Sequence, residues 1–303
     1  MHYNFLKLEN VKNSHNVNKN HNFKRRWALM DQKSGEDVFL EHMPIFSVWY
    51  KVILMYSAQF LLFLSLMALF WWASFKNIYY GIALQIIISF IGTMPYRIMA
   101  LRSYSIRVKY LKKYDKLAAQ KLWFNYQSYT IPILSSSLYF PILLKTDYFL
   151  PSLITFKSHI LTDSLFPIYV ALPFSIILIA LGFIIRKPSG GFGPDVESYL
   201  YLLYPKNGKL IKGGVYSYVR NPRYLGRVFV AIGLGVFANN IFAIIVGLIH
   251  SLAFCSLIPS ENNELGKRFG NDFKNYKKNV PALFPRFGNW KNFFKIIFSR
   301  DKT

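Results

Sequence analysis

Long apolar runs alternate with short basic ones along the chain, and this alternation predicts the elements. Val52 to Ala73 is one apolar run of membrane-spanning length and Ile78 to Pro95 is a second. Only Lys76 charges the turn between them, so the two form a helical hairpin. A shorter third run, Tyr129 to Leu144, is interrupted by Pro132 and Pro141, and a fourth covers Phe166 to Ile185. The last apolar stretch, Tyr224 to Ile258, is about 35 residues long, and Asn239 and Asn240 break it near the middle. At about 1.5 Å per residue it exceeds one crossing of a ~30 Å hydrocarbon layer, so it reads as a second helical hairpin with its tip at the asparagines. Each arm is barely long enough to cross, which implies tilt or local thinning of the bilayer. Trp49, Tyr50, Trp71 and Trp72 fall at the depth of an interfacial aromatic belt.

The polar segments orient these runs. From Tyr96 to Ser128 the chain carries Arg97, Arg102, Arg107, Lys109, Lys112, Lys113, Lys116 and Lys121 against Asp115 alone. Tyr104, Val108, Leu111, Tyr114 and Leu117 recur there at helical spacing, the pattern of a helix lying on lipid headgroups. Lys145 to Leu165 is nearly neutral and belongs on the opposite side, while Arg186, Lys187 and the stretch up to Arg223 are basic again, as is the tail after Pro259. The positive-inside rule then places every basic block on the cytoplasmic face. The expected fold is an all-α, polytopic membrane bundle of about six segments, with a C-terminal helical hairpin, a cytoplasmic tail and both termini inside. Residues 1–48, rich in Asn, Lys and His, read as a disordered cytoplasmic extension, 49–204 as the first four membrane helices with basic loops, 205–286 as the region bearing the candidate site, and 287–303 as a basic tail.

Composition narrows the function classes. The chain of 303 residues is 53% hydrophobic, which makes it an integral membrane protein once those residues are gathered into runs. Its net charge of +23, from 37 Lys and Arg against 14 Asp and Glu, is the kind of excess that binds nucleic acid. The basic residues lie between apolar runs rather than on one soluble domain, so anionic lipid is the expected partner and nucleic acid is not. A single cysteine, Cys255, precludes an intrachain disulfide framework, and His2, His15, His21 and His42 lack metal-ligand spacing; no metal is expected.

Two polar stretches flank the last hairpin. Gly213 to Gly226 reads Gly-Gly-Val-Tyr-Ser-Tyr-Val-Arg-Asn-Pro-Arg-Tyr-Leu-Gly. Its tyrosines Tyr216, Tyr218 and Tyr224 offer flat faces with polar tips, Arg220 a fixed fork of donors, and Pro222 the first turn of a helix. On the far side, Glu261 to Pro285 begins with the first acid after the last apolar run. The hairpin brings both stretches to one membrane surface, where they describe a ligand site. The bland alternative makes Arg220 and Arg223 positive-inside anchors, the tyrosines an interface belt, and Glu261 a partner of Lys267 or Arg268. Gly191-Phe-Gly193 is a short glycine pattern best read as a loop, and His250 as a packed, hydrogen-bonded residue whose place inside a membrane span keeps it among the candidates.

The pairing of G-x-Y-x-x-V-R-x-P-x-Y-x-G with a downstream E-x-x-x-L-x-x-x-F-G-x-x-F/Y-x-x-Y-x-x-x-V-P-x-x-x-P resembles the isoprenylcysteine carboxyl methyltransferase and phospholipid methyltransferase family of membrane enzymes. Gly214, Tyr216, Arg220, Pro222, Tyr224 and Gly226 match the first motif; Glu261, Leu265, Phe269, Gly270, Tyr276, Val280, Pro281 and Pro285 match the second. The resemblance covers about residues 205–286 and implies S-adenosylmethionine as cofactor and a lipidic or prenylated acceptor entering from the bilayer. It further implies Arg220 and Glu261 as catalytic residues, and Gly214, Tyr216, Asn221, Pro222, Tyr224 and Gly226 together with Glu261 as the cofactor-binding set. Two positions depart from the family: Asn221 stands where it usually has His, and Asn262 where it usually has a second acid. An amide still donates and accepts hydrogen bonds, but a titrating imidazole is lost. Two other readings compete: an NADPH-dependent enzyme like the sterol reductases, which share a similar C-terminal hairpin but typically carry Asp where this chain has Arg227, and a non-catalytic transporter or scaffold.

Overall fold

The computed structural model describes residues 42–143, 160–161, 163–187, 202–204 and 210–299. Most of the expected N-terminal extension, most of the neutral loop from Lys145 to Leu165, the Gly191-Phe-Gly193 pattern and the last residues of the tail lie outside these. Two compact units divide the chain at Val52. The first contributes a 3₁₀ turn, Pro44–Ser47, and the opening of α1, Trp49–Lys76.

The second unit is an all-α membrane bundle, and no strand occurs among the described residues. After α1 come α2, Ile78–Leu101, α3, Ser103–Tyr114, α4, Ala118–Tyr126, and α5, Thr130–Leu143. They are followed by α6, Ile168–Arg186, α7, Pro222–Ala238, α8, Ile241–Cys255, α9, Ile258–Asn279, and α10, Trp290–Phe298. Four candidate spans are long and apolar enough to cross a membrane: α1, α2, α6, and the stretch that α8 opens. At 14 and 17 residues, α5 and α7 measure about 21 and 26 Å at 1.5 Å per residue, short of a ~30 Å core. They are the expected third segment and the first arm of the last hairpin.

The sequence boundaries move for local reasons. Asn77 stops α1 and caps α2, its side chain accepting from Tyr79 N–H at 2.9 Å. The second helix continues past Pro95 to Leu101, beyond its expected end. The basic surface segment is two helices, broken at Asp115, whose φ of 44° turns the chain, and rejoined by the Asn125 amide donating to Tyr110 Oη at 2.6 Å. At the tip of the last hairpin Asn239 adopts the left-handed conformation, φ 60°, and Asn240 caps α8 by accepting from Ala243 N–H at 2.7 Å.

Small residues let the helices behind the site approach closely. A Cβ on Gly226 of α7 would stand 2.5 Å from the Gly182 carbonyl oxygen and 2.5 Å from Arg186 Cγ, both on α6. Gly247 of α8 meets the Ala231 carbonyl of α7 in the same way. The α7–α8 tip is tied to the entry of α6 by a reciprocal amide pair: Phe166 N–H donates to Asn239 Oδ1 at 3.0 Å and Asn239 Nδ2 donates to Phe166 O at 2.7 Å. On the opposite flank Phe70 stacks on Phe140 at 4.6 Å within a cluster that includes Phe242 and Val246, joining α1, α5 and α8. These contacts fix where α7 begins and α8 ends, and hence where the flanking segments meet.

Candidate functional site

The two flanks meet because each is forced to turn at the base of the hairpin. Gly214, with φ 58°, admits a left-handed step that a side chain would resist, and it opens the 3₁₀ turn Gly214–Ser217. Pro222 starts α7 with its missing N–H at a position where no helical bond is needed. On the other flank Pro281 holds Val280 extended, φ −115° and ψ 127°, which ends α9. The extended segment is then stitched to the first motif: Arg220 N–H donates to Pro281 O at 2.9 Å and Asn221 N–H to Ala282 O at 3.1 Å.

Side chains complete the junction. The Arg220 guanidinium donates through Nε to Val280 O at 2.9 Å and through Nη1 to Asn262 Oδ1 at 2.6 Å, and lies 5.9 Å from the Phe273 ring centroid. Burial pushes this guanidinium below its ordinary pKa, with Tyr276 acting in the opposite sense. Asn221 Nδ2 donates to Ala282 O at 2.8 Å, and Tyr276 Oη donates to Tyr216 O at 2.6 Å. Tyr224 Oη donates to the carboxylate of Glu261, in the first turn of α9, where the helix dipole favours an anion. Beneath the phenol, Phe254 meets the Tyr224 ring edge-on at 5.6 Å. Arg268 pairs with Glu264 at 2.5 Å on the next turn of the same helix, so the nearest arginine on α9 is committed to a different acid from Glu261.

The expected residues therefore divide into two groups. Arg220, Asn221, Tyr224 and Glu261 come together at the junction of α7 and α9. Gly226 faces α6, and Pro222 is buried at the start of α7. Tyr216 packs on the cluster formed by Val215, Val219, Ile185 and Phe293, with Gly214 at the start of its turn. Arg220 spends two of its three nitrogens on the chain itself. Sequence reasoning had assigned it to a ligand, because a guanidinium fork looks the same whether it clamps a backbone carbonyl or a carboxylate. Residues it passed over include Phe254, on which Tyr224 and Arg227 both lie, and Asn262, the acceptor for Arg220. Asn262 was legible only as a missing acid; Phe254 carried no signal in an apolar run. Among the described residues no three of His, Cys, Asp and Glu gather as a metal-ligand group.

Residues 170–272 match the family described as phospholipid methyltransferase. The chain is 32% identical over 94 residues to the nickel-cobalt-cadmium resistance protein NccN of Alcaligenes xylosoxydans xylosoxydans, covering 31% of this chain and 44% of that protein. It is 29% identical over 93 residues to the protein-S-isoprenylcysteine O-methyltransferase of Schizosaccharomyces pombe, covering 29% of this chain and 39% of the relative. It is also 30% identical over 114 residues to protein-S-isoprenylcysteine O-methyltransferase B of Arabidopsis thaliana, covering 37% and 58%. The chain thus spans 39% to 58% of the length of these relatives. No solved structure matches it.

Proposed function

From the match of residues 170–272 to the phospholipid methyltransferase family, we propose that this is an integral membrane methyltransferase that uses S-adenosylmethionine on a lipidic or prenylated acceptor. The observation that carries the reading is the contact of Tyr224 with Glu261, reinforced by Arg220 on Asn262: residues from both motifs, separated in sequence by the hairpin, share one polar junction at its base. The basic helices α3 and α4 and the basic tail accord with a cytoplasmic junction and cytoplasmic termini.

The residues at this junction fit the cofactor. A carboxylate on the first turn of α9 offers the counter-charge for an ammonium or a sulfonium, and the rings of Tyr224 and Phe254 offer flat surfaces for a base or a cation. S-adenosylmethionine, when bound, supplies an electrophilic methyl group on a positively charged sulfur. Glu261 holds the positive end of the cofactor, Tyr224 orients that carboxylate through its hydroxyl, and Arg220 fixes the segment 280–282 and the start of α9 around both. A carboxylate acceptor requires no base, since cation and anion give neutral products; exclusion of water and alignment are what the protein contributes. An amine acceptor must shed a proton, and Glu261 is the junction residue able to take it.

Calorimetric titration of the purified protein in detergent with S-adenosylhomocysteine and with NADPH tests the reading. Binding of the first alone is expected. Binding of NADPH alone would point to the reductase class, and binding of neither would remove the enzyme assignment.

A further inference from the structure

A second polar cluster sits within the helices, one ring away from the junction. Gln85 of α2, Ser89 of α2, Ser137 of α5 and His250 of α8 are each fully or almost fully buried. Gln85 Nε2 donates to Ser137 Oγ at 2.9 Å and to Ser137 O at 2.8 Å, Ser89 Oγ lies 2.6 Å from Ser137 Oγ, and Ser137 Oγ lies 2.9 Å from His250 Nδ1. One arrangement gives every hydroxyl hydrogen an acceptor: Ser89 donates to Ser137, and Ser137 donates to His250 Nδ1. The reverse order leaves the Ser89 hydrogen with no acceptor among its contacts. With Nδ1 accepting, the neutral imidazole carries its hydrogen on Nε2, and that buried donor has no hydrogen-bond partner.

Arg227 supplies a second unanswered donor. Its guanidinium lies 3.8 Å from the centroid of Phe254, and the His250 ring lies 5.4 Å from the same ring. The Arg227 Nε is buried and makes no hydrogen bond, and no carboxylate among the described residues forms an ion pair with this arginine. The charge of Arg186, across the Gly182–Gly226 contact, repels it instead. The face of an aromatic ring attracts a cation but offers nothing to the in-plane N–H groups. A cation inside a bundle, beside an imidazole N–H that also lacks a hydrogen-bond acceptor, is an unfavourable arrangement until an anion answers both.

We propose that Arg227 and His250 form an intramembrane anion subsite that takes the acidic headgroup, carboxylate or phosphate, of a membrane amphiphile. The position suits such a ligand. Arg227 lies on the second turn of α7 and His250 five residues before the end of α8, so both stand near the base of the hairpin, close to headgroup depth. Arg227 remains partly exposed, which leaves the subsite a way in from the outside of the bundle. Phe254 lies under Tyr224 as well, which sets the subsite against the Tyr224–Glu261 pair. The binding site stands without the methyltransferase reading; its use for an acidic group of the acceptor rests on that reading.

The experiment compares matched amphiphiles on the purified full chain in a neutral detergent: oleate against oleyl alcohol, lysophosphatidic acid against monoolein, and inorganic phosphate alone. Wild type is expected to bind at least one acid about tenfold or more tighter than its neutral partner, the gain of a charge-assisted contact, and the acid should raise Tm. Which acid gains distinguishes carboxylate from phosphate, and binding of free phosphate at similar affinity would show a simple anion site and overturn the amphiphile assignment. Arg227→Leu, which removes a buried charge and keeps the fold, should abolish the acid preference, Arg227→Lys should keep part of it, and His250→Phe should reduce it. Equal binding of acid and neutral forms by wild type, or an acid preference that survives Arg227→Leu, overturns the proposal. Titration with S-adenosylhomocysteine in parallel separates the two readings: an acid preference without cofactor binding would leave the subsite standing and remove the methyltransferase.

Discussion

A carboxylate and a guanidinium carry the proposed site, and their surroundings assign them different tasks. Glu261 meets a phenol and the start of a helix, whereas Arg220 is spent mainly on Val280 and Asn262. Glu261→Gln keeps an acceptor for Tyr224 and removes only the charge, so Tm should shift by a few degrees at most. Affinity for S-adenosylhomocysteine should fall about ten- to hundredfold and methyl transfer should be lost, the scale of one or two charge-assisted contacts. Arg220→Ala should instead lower both stability, by about 2–3 kcal/mol for two bonds from a charged donor, and cofactor affinity. Arg220→Lys should recover only part, since an ammonium on a flexible stem cannot span both acceptors as a planar fork does. Thermal unfolding measured beside the titrations separates these patterns; full activity in Glu261→Gln would remove the proposed site. Asn221→His places an imidazole N–H where the amide now reaches Ala282, so cofactor affinity should be kept or raised. A large loss would mean that the local geometry does not admit the ring.

Helices α6, α7 and α8 act as one rigid frame because small residues and one amide pair set their spacing. Gly226→Val drives a branched side chain into the Gly182 carbonyl and the stem of Arg186, and overpacking of this kind costs about 1–3 kcal/mol. Gly213→Ala is the control: nothing lies within 4 Å of its added methyl, φ is −90°, and Tm should not change. At the far end, Asn239→Ala loses both bonds to Phe166 and the tolerance of a short amide for a left-handed backbone. It should cost about 2–3 kcal/mol, and Asn239→Gly should restore the backbone share alone. Denaturation of the three proteins in one detergent gives the comparison.

On the scale of the molecule, the positive-inside reading predicts that the basic helices and the hairpin tip lie on opposite sides of the bilayer. Lys112, exposed on α3, and Ser164, exposed near the tip, provide the test. In a Cys255→Ser background, Lys112→Cys should react with an impermeant maleimide only from the cytoplasmic side and Ser164→Cys only from the other. Labelling of both from one side would invert or fold back the proposed topology.

Hydrophobic period was enough to place the apolar helices to within about six residues of their ends, the hairpin tip at Asn239 and Asn240, and helix in the basic segment, though not its break at Asp115, because each depends on neighbours along the chain and on the solvent it faces. The two flanks stood out as polar stretches on either side of the hairpin, and Tyr224 and Glu261 were singled out through the motifs that carry the family resemblance. Which partner each polar group chooses was not. Arg220 turned to a backbone carbonyl, Gly226 to a neighbouring helix, and His250 joined Gln85, Ser89 and Ser137 from helices distant in sequence. Such choices are decided by which donors and acceptors tertiary packing brings within about 3 Å and removes from competing solvent, a condition no local pattern encodes.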